Sequence, residues 1–364
     1  MRTTLRRKLL SAAVAVTVVG SLAACSGSTD SASSSANPGT SAAAVKTVRL
    51  GFFPNLTHAP ALIGMQEGLF KDALKPLGVS VTPTAFNAGP DAVTALFADQ
   101  LDISYIGPNP TISAYTQSEG EAITVISGAA SGGAALVVAK DINSPADLKG
   151  KTLATPQLGN TQDVALRYWL KEQGLTATTE GGGDVSIKPQ ANADGLTAFS
   201  TGQIQGAWVP EPWVSEYVAK GAKVLVNEKD LWPDGKFVTT NIVVRTEFLK
   251  ENPEVVEAVL TGHVEALQEI VDDPKAAKAD VQASLQSLTG STLDPQIIDS
   301  AWKQVDFTAD PLPTTLVASA QHAVDVGLLD QGEIDAAGGL PGTLYDLTAI
   351  NAVLGAAGEP EVTQ

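Results

Sequence analysis

Cysteine is almost absent from this chain of 364 residues: Cys25 stands alone, so no disulfide framework exists and buried apolar surface must hold the fold together. Histidine is nearly as scarce. His58, His263 and His322 lie far apart in sequence, which argues against a closed zinc site. No phosphate-binding G-x-x-x-x-G-K-[ST] loop, no G-x-S-x-G elbow and no H-E-x-x-H helix occurs, and Gly181-Gly182-Gly183 lacks the spacing and flanks of a dinucleotide fingerprint. No metal and no cofactor is expected. Positive charge is short as well, with 23 Lys and Arg against 40 Asp and Glu and a formal net charge of −17. That balance disfavours nucleic acid and anionic lipid. It leaves room for a small anionic ligand, because local N–H groups and dipoles dominate inside a pocket. The one long uncharged apolar run, Leu9 to Ala24, falls short of the roughly 20 residues a membrane span needs.

That run has another reading. Arg2, Arg6, Arg7 and Lys8 precede it without an acid, and Leu22-Ala23-Ala24-Cys25 closes it. A basic start, an apolar middle and small residues before a break make residues 1–24 a secretory signal peptide. The break resembles the lipobox of bacterial lipoproteins, in which the cysteine becomes a diacylated N-terminus; Cys25 is the expected lipidation site. Arg6-Arg7 also fits, poorly, a twin-arginine export signal. A Ser/Ala/Gly tether completes 25–46 as a flexible linker.

Beyond it, three stretches share one grammar: VRLGFFPNLTHAP (48–60), VTPTAFNAGP (81–90) and LDISYIGPNP (101–110). Each runs from an apolar strand into a capping residue and a proline at the start of a helix. Proline suits that position because its missing N–H has no intrahelical partner there. Helix N-termini offer free N–H donors and the positive end of the helix dipole, so several at the carboxyl edge of one parallel sheet form a pocket for an oxyanion.

Strand-like runs then alternate with helical ones, which predicts an α/β fold. Strands are expected at 48–53, 80–86, 102–106, 123–128, 134–139, 151–155, 185–188, 205–208, 223–226 and 239–245. Beyond 246 the pattern is helical only. The remaining length exceeds what one core of about 250–300 residues supports, so two lobes are expected. SGGAALVVAKDINSPADLKGKTLATP (131–156) and GKFVTTNIVVRTEFL (235–249) read as the two crossover strands. They divide the chain into lobe 1, at 47–139 plus 239–364 with the C-terminal helices, and lobe 2 at 140–238, with the ligand cleft between them.

Together, GFFPNLTHAPALIGMQEGLF, FNAGPDAVTALFADQLDISYIGPNP, SGGAALVVAKD, ADLKGKTLATPQLGNTQDVALRYWL and AWVPEPW resemble periplasmic substrate-binding proteins of ABC importers, in the group for aliphatic sulfonates, nitrate and taurine. The resemblance implies a type II periplasmic-binding-protein fold, a receptor that is no enzyme, and delivery of a small anion to a membrane permease by a monomer anchored outside the cell membrane. Carried over position by position, it puts Asn55, Thr57 and His58 in the pocket after the first strand. Asn87 and Gly89 would follow the second strand, Gly107 and Asn109 the third, and Ser131-Gly132-Gly133 would form a further contact turn. From the second lobe it implies Gly159, Asn160 and Thr161 at a helix start, and Trp208, Glu211 and Trp213. None of these segments contains lysine or arginine, so neutral donors, with His58 beside them, would hold the anion.

Each residue also has a plainer reading. Asn87, Asn109 and Asn160 fall at expected N-caps and would satisfy helix N–H groups in any case. Trp208 and Trp213 could be core. Glu211 would repel a plain sulfonate; it could pair with the ammonium of an aminosulfonate, bond a hydroxyl, or face solvent and the permease. An aliphatic sulfonate is the leading ligand, with taurine, nitrate and a thiamine-type pyrimidine after it. A related pyrimidine-forming enzyme would need a cysteine-rich metal motif that this chain lacks, and a sensor without transport would use the same fold.

Overall fold

The computed structural model describes residues 45–364. The expected signal peptide, Cys25 and nearly all of the expected linker lie outside the described residues.

Ten strands stand where the sequence pattern puts them: β1 (Thr47–Phe52), β2 (Ser80–Ala85), β3 (Ile103–Ile106), β4 (Ile123–Gly132), β5 (Ala134–Val138), β6 (Thr152–Thr155), β7 (Ser186–Pro189), β8 (Gly206–Pro210), β9 (Lys223–Asn227) and β10 (Val238–Arg245). An eleventh, β11 (Val305–Phe307), corrects the expectation that strands end at 246. It is a three-residue edge strand that pairs with β4. The helical stretch that follows β1 is two helices, Ala59–Gln66 and Leu69–Leu74, broken at the left-handed Gly68.

The strands form two sheets, ordered β11-β4-β10-β3-β1-β2 and β7-β6-β8-β5-β9. Both are built alike. A parallel trio has its first strand in the middle: β2-β1-β3 in one sheet, β7-β6-β8 in the other. Beside each trio lies one antiparallel strand laid down as the chain passes between sheets, β10 in the first and β5 in the second. The outward passage therefore falls at Gly132-Gly133, where both residues have positive φ (77° and 73°), and β5 belongs to the second sheet rather than to the expected lobe 1. The return runs between β9 and β10.

Both faces of the second sheet are covered. Leu136, Val138, Leu153 and Trp208 face one apolar cluster; Ala135, Val137, Ala154, Ala207 and Val209 alternate into the other. The first sheet packs in a larger core with the C-terminal helices, including Pro253–Asp272, which lies against Leu69–Leu74. β2 is largely exposed and carries Pro83, which an edge strand tolerates. These cores fix the six parallel strands, and hence the loops at their carboxyl ends, on two sheets.

Candidate functional site

Those loops converge. One cavity of about 30 Å³, room for one or two waters, is lined from the ends of all six parallel strands. Phe53, Asn55, Thr57 and His58 follow β1, Asn87 to Gly89 follow β2, and Gly107 and Pro110 follow β3. Pro156 and Asn160 to Gln162 follow β6, Asn192 follows β7, Pro210 ends β8, and Thr239 comes from β10. No lysine, arginine, aspartate or glutamate is among them.

Four helices begin at the cavity: Gly89–Phe97, Pro108–Gln117, Thr161–Glu172 and Asn192–Ser200. The first N–H groups of each have no intrahelical acceptor, and the dipoles add positive potential where they meet. At Thr161–Glu172 the cap is Asn160, whose Oδ1 accepts from the Asp163 N–H at 2.9 Å while its Nδ2 donates to Gln162 Oε1 at 3.1 Å. The loop before this helix is pinned from below. Asp163, fully buried, accepts from Thr155 Oγ1 at 2.8 Å, from the Gly159 N–H at 3.0 Å and from Arg167 Nε at 2.9 Å. Arg167 neutralises that carboxylate, so the helix presents its N-terminus without an opposing free charge.

His58 is buried and burial lowers its pKa to about 3, so the ring is neutral. Its Nδ1 accepts from the Phe53 N–H at 3.3 Å, which leaves Nε2 carrying the proton as a donor. Gly107, after β3, lies against the helix start after β6: a Cβ there would overlap Thr161 Oγ1. The Trp213 Nε1–H donates to Asn55 Oδ1 at 2.9 Å, and the Leu56 N–H donates to the Glu211 carbonyl at 3.0 Å, so side-chain and main-chain bonds both span the two sheets.

Asn55, Thr57, His58, Asn87, Gly89, Gly107, Asn160 and Thr161 thus line one cavity. The remaining residues do not. Asn109 is the second residue of its helix, not the cap, and its Nδ2 donates to the Ser319 carbonyl at 3.1 Å. Asn87 is likewise not a cap; Ala88 is, and the Asn87 side chain is exposed at the cavity's edge. Ser131 accepts the Phe237 N–H at 3.3 Å, and the Gly132 carbonyl accepts from Thr239 Oγ1 at 2.5 Å, so this turn serves the passage between sheets. Gly159 shapes the loop without lining the cavity. Trp208 is fully buried, donates to Glu228 Oε2 at 2.6 Å and packs by Trp169. Trp213 lines an adjoining groove instead.

Glu211 turns away. Its carboxylate accepts from Ser215 N–H and O–H, both at 3.1 Å, and lines a separate cavity with Ser215, Asn227 and Gln304. Burial there pushes its pKa up to about 7. The pairing of Glu211 with a ligand ammonium in the anion cavity therefore has no geometric basis.

Sequence reasoning missed Gln162, Asn192 and Thr239. Asn192 begins a helix after β7 by the same strand-to-helix grammar, with Pro189 ending the strand, yet without an aromatic run to mark it. Its Oδ1 is buried and has no partner among the described residues. An unpaired buried amide costs free energy unless something enters to bond it.

Comparison with known proteins gives the family and the fold. The taurine-binding periplasmic protein of Escherichia coli (strain K12) is 28% identical over 59% of this chain and 64% of its own length. A putative binding protein of Brucella abortus (strain 2308) is 28% identical over 60% of this chain and 65% of its own. The chain thus spans somewhat less than two thirds of the length of these relatives. Among solved structures, the alkanesulfonate-binding protein from Xanthomonas axonopodis pv. citri bound to MOPS is 20% identical, with a TM-score of 0.65 over 80% of this chain and 96% of that one. The periplasmic nitrate-binding protein from Synechocystis PCC 6803 is 16% identical, with a TM-score of 0.67 over 86% and 89%. These likenesses identify the periplasmic-binding-protein fold. The model of the NMT1-like family matches residues 41–285, more than half of the sequence, and the chain belongs to that family.

Proposed function

We propose that this protein is an extracytoplasmic receptor that encloses the oxyanion head of a sulfonate between its lobes and hands it to an ABC importer, with no chemical step. One observation carries the reading: an interlobe cavity fed by four helix N-termini and lined only by neutral groups. Neutral donors spread over both lobes stabilise a dispersed negative charge without burying a counter-cation. Because they come from both lobes, the ligand binds the closed form better than the open one, and closure follows as a population shift. The relatives named as taurine-, nitrate- and alkanesulfonate-binding support the anion class. A nitrate ion would fill the enclosed cavity and leave the adjoining groove empty; the presence of that groove favours a sulfonate with a tail. Lipidation of Cys25 would hold the receptor at the outer face of the cell membrane, and the acidic surface keeps it off nucleic acid.

The test is a thermal-shift panel of alkanesulfonates, taurine, nitrate, sulfate and thiamine precursors. A ligand at about 100 times its Kd adds roughly 2.7 kcal/mol, a shift of a few degrees. A shift with the sulfonates supports the reading; a shift with pyrimidines alone overturns it. For the anchor, incorporation of labelled fatty acid that disappears in Cys25→Ala is the expected result.

A further inference from the structure

Away from the ligand cavity the lobes touch again, through stacked rings. Tyr168 stands on the helix Thr161–Glu172, about two turns beyond the N-terminus that lines the cavity. Its ring stacks on the imidazole of His322, with centroids 3.7 Å apart and 12° between the planes. His322 belongs to the helix Pro313–Asp325 of the C-terminal region. Trp232, on the returning passage between β9 and β10, approaches the same imidazole at 5.4 Å and itself stacks on Phe237 at 5.6 Å. Lys171 Nζ donates to the Asp325 carbonyl at 2.7 Å, a further bond between the same two helices. One half-buried imidazole is thus shared by a ring from a second-lobe helix and a ring from the segment that leads back to the first lobe.

We infer that this stack is a proton-sensitive latch between the lobes, with His322 as its switch: the neutral ring holds the two helices together, and a proton on it favours the open form. The inference rests on the closing receptor described above and goes beyond it, since none of these side chains lines the ligand cavity. Packing between rings strips water from the imidazole, which disfavours its cation. Two carboxylates act the other way, Asp325 one turn on along the same helix and Glu172 on the facing helix, but desolvation outweighs them and the pKa lies below the ordinary 6.5. The other elements packed on this helix bring no free counter-charge. Pro108–Gln117 has no charged side chain, and Arg245 of β10 is paired with Asp99 and Asp102. On the returning passage Glu228 is buried and bonded to Trp208, Lys229 pairs with Asp306, and Asp230, Asp234 and Lys236 are exposed to solvent. In an open form the ring regains water and its ordinary pKa. The contribution of the stack to closure is therefore present above 6.5 and is lost as pH falls below it.

The experiment combines imidazole NMR with calorimetric titration of propane-1-sulfonate, which stays ionised throughout, on the full protein and on His322→Phe. Phenylalanine keeps a ring between Tyr168 and Trp232 and cannot take a proton. The imidazole signal missing from the variant assigns His322; in the wild type it is expected to titrate below 6.5, and lower still once the sulfonate saturates. From about pH 7.5 to about pH 5.5 the wild type is expected to lose roughly threefold or more in affinity relative to the variant, the two being within about twofold at the upper pH. Tyr168→Leu removes the stacked ring from the opposite side and is expected to bring the His322 pKa back toward its ordinary value; an unchanged pKa counts against the latch. A His322 signal that titrates at or above 6.5, or the same pH dependence of affinity in both proteins, would overturn it. If neither protein binds the sulfonate, the anion reading fails, and the imidazole titration alone decides the latch.

Discussion

The Trp213 indole N–H and the Asn55 side-chain oxygen, 2.9 Å apart, join the helix that follows β8 to the loop that follows β1. One belongs to the five-stranded sheet and the other to the six-stranded sheet, so their bond spans the two. It sits where the cavity meets the adjoining groove, and Asn55 lines both. Trp213→Phe keeps the ring area and deletes the donor. Calorimetry is expected to show a loss of about 0.5–1.5 kcal/mol in ligand affinity with the unliganded melting temperature nearly unchanged. A fall in melting temperature without loss of affinity would make the bond a fold contact instead of a latch.

Gly107 tests how closely the lobes must approach. Since a Cβ there would overlap Thr161 Oγ1, Gly107→Ala is expected to obstruct closure. Its φ of −74° is open to alanine, so the separate lobes should fold normally. The expected outcome is at least a tenfold loss of affinity, measured by titration, with little change in urea midpoint.

Asn160 has two duties, capping its helix and lining the cavity. Replacing Asn160 and Thr161 together by Ala is expected to cost about 1 kcal/mol of stability from the lost cap. Ligand affinity should fall by a further 1–3 kcal/mol or so from lost donors to the anion. Measuring unfolding without ligand separates the first cost from the second. Unchanged affinity in a folded double variant would remove this helix from the site.

Stability should depend on pH through groups of opposite sign. Burial raises the pKa of Glu211 and of Glu228 to about 7, above the ordinary 4.5. Each therefore contributes stability that is fully present below 4.5 and is lost as pH rises through 7. His58 and His263 are lowered to about 3 from 6.5, and their contribution is present above 6.5 and lost as pH falls toward 3. Between 4.5 and 6.5 the two trends oppose each other. Glu211→Gln keeps an acceptor for Ser215 and removes one proton-binding group. Relative to wild type, its stability at pH 8 compared with pH 5 is expected to improve by on the order of 2–3 kcal/mol, read from urea unfolding at the two pH values. An identical pH difference in both proteins would contradict the burial of that carboxyl.

Much of this arrangement was legible in the residues because its determinants are local. Strand, cap and helix-opening proline occupy a few consecutive positions, so β1, β2, β3 and the helix starts behind Pro60, Pro90 and Pro110 could be read directly. Asn160 was legible as a cap for the same reason. Side-chain direction was not, because distant partners decide it. Ser131 faces Phe237 from 106 positions away, and Asn109 faces Ser319 from 210 positions away. Trp208 and Val209 enter opposite cores purely by strand alternation. Glu211 kept the expected place at the end of β8 and turned its carboxylate to Ser215. β11 was invisible because three residues carry no periodicity; only its pairing with β4 makes it a strand.

The most direct measurement is a crystal structure with propane-1-sulfonate, with the ligand sulfur located by its anomalous signal. The expected position is inside the cavity, its oxygens within hydrogen-bonding distance of donors from both lobes, among them Thr161, Asn160 and the neutral His58, and no lysine or arginine in contact. A sulfur placed in the cavity beside Glu211, or held by a basic side chain at the surface, would contradict the account.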